Sequence, residues 1–321
     1  MTLVLALVGL ALVLPWGAAA ATRRLASLLP PREACAALTA AAALLAGGTV
    51  AALIGLFHVP FLTSLEQIPL ARAAAEWPAT VPVAAAAGVV LALQAVRAGR
   101  SWYEHRSVLA RAWASTGEAV SDGDLLVLAD TDPHAFALPA WRGRAGRVVV
   151  TTGMLRTLGR PERDVLLGHE RAHLKGRHHL LSLTADLAAA VHPALRSLRP
   201  ALDFHLERWA DESAAASVGN RRLAATAIAR AALAASTAST ISTAGKQSRN
   251  GGPLLAVGTG PVPQRVEALL RPAPVRPRGH RTRAAVAALT AAVSASALSG
   301  LALAYGLHEY VELTARALLA G

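Results

Sequence analysis

Residues 165–177 read VLLGHERAHLKGR, and inside them His169, Glu170 and His173 form the pattern His-Glu-x-x-His. On an α-helix, side chains four apart share a face, so the two imidazoles can hold one metal ion together. Glu170 follows His169 directly and can reach a water on that metal. Two imidazoles, a third protein ligand and an open fourth position describe a catalytic zinc site rather than a closed structural one. One zinc ion is expected, with the third ligand, a carboxylate or an imidazole, on a helix downstream.

Working outward, Pro161 fits the first turn of the zinc helix, Glu162 and Asp164 suit its N-terminus, and Gly176 suits its end. Upstream, a helical stretch at 101–119 leads to three β-like runs, 125–129, 135–138 and 147–152. Pro139 and a Gly/Arg-rich segment part the last two, which can form a hairpin. Downstream, the apolar run 180–191 contains Asp186 and is too short to span, so it reads as a packed or membrane-surface helix. A helix over about 200–218 carries Glu207 and Asp211, four apart and on one face. Either acid can bind zinc while the other accepts a hydrogen bond from a ligand imidazole and fixes its tautomer. An alanine-rich helix follows from Asn220 to near Ser236. The Ser/Thr/Gly-rich stretch 236–262 reads as a mobile loop, and a short helix covers 264–270.

The composition places this region beside a membrane. The chain is 54% hydrophobic but only 4% aromatic, and its mean hydropathy is +0.40, too apolar for an ordinary soluble domain. Apolar runs at 2–20, 35–57, 79–96 and 284–306 read as four transmembrane helices. For 2–20 the rival is a signal peptide, but no Lys or Arg precedes that run, and Arg23 and Arg24 follow it. Cys35 is the single cysteine, which excludes an intrachain disulfide and a cysteine metal cluster.

The formal net charge of +12 is concentrated. Arg23, Arg24, Arg32, Arg72 and Arg316 are balanced by Glu33, Glu66, Glu76, Glu309 and Glu312, so the whole excess lies in 97–283. The positive-inside rule then places 97–283 in the cytoplasm and both termini outside. Such a basic region suits anionic lipid. Nucleic acid is not expected as a partner, because no basic helix with interleaved aromatics is present. The domain division is three membrane helices in 1–96, a polar domain in 97–283, and a fourth membrane helix with a short tail in 284–321.

The order GHExxH (168–173), a helix ending in His192-Pro193, and then Glu207-x-x-x-Asp211-Glu212 resembles the antirepressor (BlaR/MecR-type) membrane zinc metallopeptidases. These are the protease halves of β-lactam sensor–transducers and are related to the HtpX and CAAX prenyl proteases, the gluzincin group. The run His134-Ala-Phe-Ala is similar to the relatives' Asn-Ala-Phe-Ala strand, with His134 standing where they have Asn. Arg147–Gly153 (RVVVTTG) is similar to the strand and turn before their zinc helix. The resemblance implies a mainly α membrane protein with an α+β zincin-like metalloprotease domain and a small β-sheet. It implies that Glu207 is the third zinc ligand and that Asp211 supports a ligand imidazole. It also implies that the substrate is a protein or peptide, with a cytoplasmic repressor as one candidate. No stretch of the chain resembles the sensors' penicillin-binding domain, so β-lactam sensing is not implied.

His178 and His179 are alternative ligands by residue type, but they lie past Gly176, off the face of His169 and His173, and are expected in solvent. His58, His192, His205, His280 and His308 lack ligand spacing. Arg160, Glu162, Arg163, Asp164, Arg171, Lys175 and Arg177 crowd the motif, which argues against a site inside hydrocarbon. Glu170 is the expected general base. His134 and Arg265 are the candidates for contact with substrate. An extended substrate can add along the 135–152 strand edge. Two other classes stand beside the peptidase: a non-enzymatic membrane scaffold, and a DNA-associated membrane regulator.

Overall fold

The computed structural model describes residues 2–65, 79–117, 119–243, 261–274 and 280–319. Three long helices open the described chain: α1 (Thr2–Ala26), α2 (Pro31–Leu65) and α3 (Thr80–Ala114). Four short strands follow, β1 (Val120–Asp122), β2 (Leu125–Leu128), β3 (Ala135–Leu138) and β4 (Arg147–Thr151). Next come α4 (Thr152–Thr157), α5 (Arg160–Lys175), α6 (His178–Val191), a 3-10 turn (Pro193–Ser197), α7 (Leu198–Val218) and α8 (Arg221–Thr243). The last elements are α9 (Val262–Leu270) and α10 (His280–Leu319).

Among the described residues, three helices are long and apolar enough to cross a membrane: Pro31–Thr63, Val81–Ala114 and Val286–Leu313. The run 2–20 lies within α1 but is not one of these three. The helices outrun their apolar segments. The loop expected from residue 58 is helix as far as Leu65, through Pro60. There the His58 ring bonds to the Ile54 carbonyl at 2.9 Å and the Thr63 hydroxyl donates to the Pro60 carbonyl at 2.8 Å. The remainder of that expected loop, 66–78, lies outside the described residues. The third apolar run and the helix expected at 101–119 are one 35-residue helix, α3, and the segment expected to be a tail after residue 306 is helical to Leu319. Hydropathy registers the surroundings of a helix, whereas backbone hydrogen bonding continues for as long as propensity allows.

Small residues let α2 and α10 cross closely. A Cβ on Gly300 would sit 2.0 Å from the Gly48 carbonyl oxygen, and one on Gly55 would sit 2.5 Å from the Ala304 Cα. Such approach is characteristic of helix pairs in lipid, where packing rather than the hydrophobic effect joins them. One buried cluster joins Ala19 of α1, Leu38 and Leu45 of α2, Ala185 of α6, Leu198 and Leu202 of α7, and Val293 of α10. The helices of the polar domain therefore sit directly on the long apolar ones.

The sheet runs β1-β2-β4-β3, with β2–β4 parallel and the other pairs antiparallel. The β3–β4 pair is the hairpin, closed by a Trp141–Arg144 bridge. β1 was not expected: its three residues are all exposed and show no alternation to read. β4 fills the middle, with Val148, Val149 and Val150 fully buried, and β3 is left as an edge. Gly153 lies in the first turn of α4 rather than ending β4. A Cβ there would meet the Thr131 carbonyl oxygen at 2.0 Å, so the close approach requires glycine. α8 continues to Thr243, so the first part of the loop expected at 236–262 is helical, and 244–260 lies outside the described residues.

Candidate metal centre

α5 carries the motif because its ends are well specified. Pro161 occupies the first turn, and the Glu162 carboxylate accepts the Gly159 N–H at 2.8 Å. Gly168 lets α5 approach α7, since a Cβ there would meet the Ser217 hydroxyl at 2.9 Å and the Ala214 Cα at 3.5 Å. This contact lays His169 and His173 against Glu207.

The three donors converge. The two Nε2 atoms of His169 and His173 are 3.1 Å apart. Glu207 places Oε2 at 3.6 Å from His169 Nε2 and Oε1 at 3.5 Å from His173 Nε2. One ligand atom from each residue falls within 4.8 Å of the others. A tetrahedral zinc with bonds of about 2.0–2.2 Å separates its ligand atoms by about 3.3–3.6 Å, so the spacing suits such an ion.

The opposite ring nitrogens each face another side chain, which leaves both Nε2 atoms at the shared point. Asp211 Oδ1 lies 3.0 Å from His169 Nδ1. His173 Nδ1 lies 2.8 Å from His178 Nδ1. Burial alone would lower the His169 pKa, but Asp211 and Glu207 outweigh it and lift it to about 10. Burial drives His173 the other way, to about 4. The Glu207 carboxyl, despite burial, is held well below the usual carboxylate range by His169, His173 and Arg265. A pair of facing imidazoles beside a fixed carboxylate is a place for one positive charge.

Glu170 sits beside this trio and is 2% exposed. Its carboxylate accepts a hydrogen bond from the Ala137 backbone on β3, while Oε1 has no partner among the described residues. Burial, with the charge of Glu207 adding to it and that of His169 opposing, pushes the Glu170 carboxyl up to about 7. That value suits a group that must both take and return a proton near neutral pH.

The two candidates for substrate contact, Arg265 and His134, lie in different settings. Arg265 is fully buried. It grips Asp211 with two bonds, Nε to Oδ2 at 2.8 Å and Nη2 to Oδ1 at 2.7 Å, and places Nη1 2.8 Å from Glu207 Oε2. It therefore anchors both carboxylates. Arg265 shares with His169 the neutralising of two acids buried side by side. His134 is exposed just before β3, its backbone N–H donating to the Thr151 hydroxyl at 2.9 Å, and no contact joins it to the metal trio.

His178 is the residue that sequence reading misplaced. It is 3% exposed, not in solvent. The reason is the backbone at Arg177, which takes the left-handed conformation at φ 49° and turns α6 back over α5. Gly176 permits this, because a Cβ there would meet the His178 ring at 2.5 Å. His178 in turn packs against Trp209 with ring centroids 4.6 Å apart, and the Arg32 guanidinium of α2 lies 5.7 Å from the Trp209 ring. The left-handed turn was not legible, but Gly176 beside a second His pair was a signal that could have raised the possibility. His179 stacks instead on His105, with centroids 6.1 Å apart.

Against known proteins, residues 106–198 match the model of peptidase family M48. That segment includes the sheet, His169, Glu170, His173 and His178, and stops short of Glu207, Asp211 and Arg265. A 69-residue stretch is 41% identical to a protein described as "Protease HtpX homolog" from Thermodesulfovibrio yellowstonii, covering 20% of this chain and 23% of that relative. The chain thus matches about a quarter of the relative's length. No solved structure matches the chain. The metal-ready cluster, the apolar helices and these two matches together support an HtpX-related membrane metallopeptidase, similar to family M48 over the segment that holds His169 and His173.

Proposed function

We propose that the protein is a membrane-embedded zinc metalloendopeptidase that hydrolyses a peptide bond in a cytoplasmic or membrane-associated protein. The observation that carries this reading is the convergence of His169, His173 and Glu207 beside a buried Glu170 with one unpartnered oxygen. His169, His173 and Glu207 would hold the ion through the two Nε2 atoms and the carboxylate. A bound zinc supplies polarisation of the scissile carbonyl and a more acidic water. Glu170 takes the proton of the attacking water on its carboxylate and delivers it to the leaving amine. Asp211 holds His169 by Nδ1, and Arg265 keeps Asp211 and Glu207 ionised.

The substrate backbone would add to β3. Thr151 N–H donates to the His134 carbonyl at 3.0 Å, so along this antiparallel pair Ala135 and Ala137 turn their backbone groups away from β4. Because Glu170 already takes the Ala137 N–H and Ala135 is buried, an extended peptide would pair through the Ala137 carbonyl, beside Glu170. With α1 counted as a fourth span, the charge distribution favours residues 97–283 in the cytoplasm and both termini outside. A transcriptional repressor is the specific substrate that the antirepressor resemblance adds, and nucleic acid is not a partner in this reading.

The test compares new protein N-termini in cells carrying the wild type and Glu170→Gln. Peptidase activity predicts a set of termini present only with the wild type. Identical sets would favour a scaffold and remove the enzymatic reading.

A further inference from the structure

A polar cavity lies away from the metal centre, where α3 meets α6 and the 3-10 turn, with a volume of about 440 Å³. Arg97, Arg100 and Glu104 line it from one face of α3 at helical spacing, Asp186 and Ala189 from one face of α6, and Arg196 from the turn. Ala189 and Ala190 are too small to fill the gap between the two helices, and the Gln94 amide, donating to the Val191 carbonyl at 2.9 Å, fixes their separation. Asp186 is already paired with Arg199. Among the described residues, Arg97, Arg100 and Arg196 have no acidic partner, so against Glu104 the cavity carries an uncompensated positive charge.

Its place along α3 decides what that charge is for. Val89, Leu93 and Val96, within about two turns before Arg97, are 61%, 50% and 61% exposed, an apolar surface that lipid would cover. Just beyond Arg100, Trp102 and Tyr103 are 48% and 72% exposed. Aromatic residues in that position mark a membrane–water boundary. The arginine cavity therefore opens between an acyl-chain surface and water, where a phosphate joined to apolar chains fits and a soluble anion gains nothing from the valines.

We propose that this cavity binds the phosphate headgroup of an anionic phospholipid, with Arg97, Arg100 and Arg196 as the phosphate donors. The site ties the end of a membrane helix to α6, the helix that begins at His178.

The test titrates the purified full chain in detergent micelles with phosphatidylglycerol or phosphatidylcholine of the same acyl chains, and counts bound lipid by native mass spectrometry. The wild type should prefer phosphatidylglycerol by about tenfold or more. The triple variant Arg97→Gln, Arg100→Gln, Arg196→Gln should lose that preference. Replacing the same three by Lys should keep most of it. Neutralising three exposed arginines elsewhere, Arg156, Arg160 and Arg222, should leave it intact. No preference in the wild type, or equal loss in both neutralised triples, overturns the site. Inorganic phosphate that displaces the lipid at equal concentration marks a free-anion site and overturns the lipid assignment.

Discussion

At the scale of single residues, the site depends on which nitrogen of each histidine is free. His173 can offer Nε2 to a metal only if its Nδ1 carries the proton, and the group beside that Nδ1 is His178 at 2.8 Å. Burial, and then the neighbouring His173, push the His178 pKa far down, so it stays neutral and accepts. Replacing His178 with Phe should weaken zinc binding by about 10–100-fold, the usual effect of losing a ligand's outer partner. His178→Gln, which keeps an acceptor oxygen, should recover most of that loss in a chelator competition on folded protein. Equal weakening by both changes would mean that the ring's packing on Trp209 matters and the hydrogen bond does not. The Glu170 carboxyl makes a separate prediction in metal-free protein. Its ordinary value is 4.5 and its folded value is about 7. Between those values the folded state keeps a proton that the unfolded state has lost, so stability falls as pH rises through this window and stays lower above it. Glu170→Gln should therefore raise the melting temperature relative to wild type at pH 8 and leave it level at pH 4. A difference that does not change with pH would contradict the buried placement. The His169–His173 pair was legible because spacing of four on a helix is a local rule, whereas spacing left Glu207 and Asp211 equivalent and only the resemblance chose between them. His178 was hidden by one left-handed residue, Arg177, which no such rule reveals.

At the scale of elements, α9 has a function that its nine residues do not announce. Arg265 reaches back 54 positions to Asp211, and such a distance has no signature in sequence. That is why its charge could be read as free for substrate. Because it neutralises two buried carboxylates, Arg265→Met should destabilise the protein by about 3–5 kcal/mol. Arg265→Lys should recover only part of this, since a single ammonium cannot grip Asp211 in two places and still reach Glu207. Chemical denaturation of metal-free protein measures both. A loss below about 1 kcal/mol for Arg265→Met would show that the anchor is dispensable. The sheet was legible where residues are buried, at 147–152, and illegible at β1, whose exposed triplet carries no pattern. Helix existence was read more successfully than helix ends, because α2, α3 and α10 run on through charged and polar residues that close an apolar window but leave the backbone bonded.

At the scale of the whole molecule, the metal centre is mounted on the membrane helices rather than tethered to them. α7, which carries Glu207 and Asp211, shares a buried cluster with α1, α2, α6 and α10, and Arg32 of α2 stacks on Trp209 two residues after Glu207. The separate membrane and protease segments suggested by composition are thus packed together, a union visible only when the alanine-rich faces meet. The full chain in detergent is accordingly the right object for the decisive experiment. Zinc per chain and cleavage of casein would be measured on the wild type, Glu170→Gln and Glu207→Ala, each checked for folding. The account predicts about one zinc per chain with cleavage for the wild type, and the same zinc with cleavage lowered at least about a hundredfold for Glu170→Gln. It predicts loss of both for Glu207→Ala. A Glu170→Gln protein that cuts at the wild-type rate, or a Glu207→Ala protein that keeps its zinc, would contradict it.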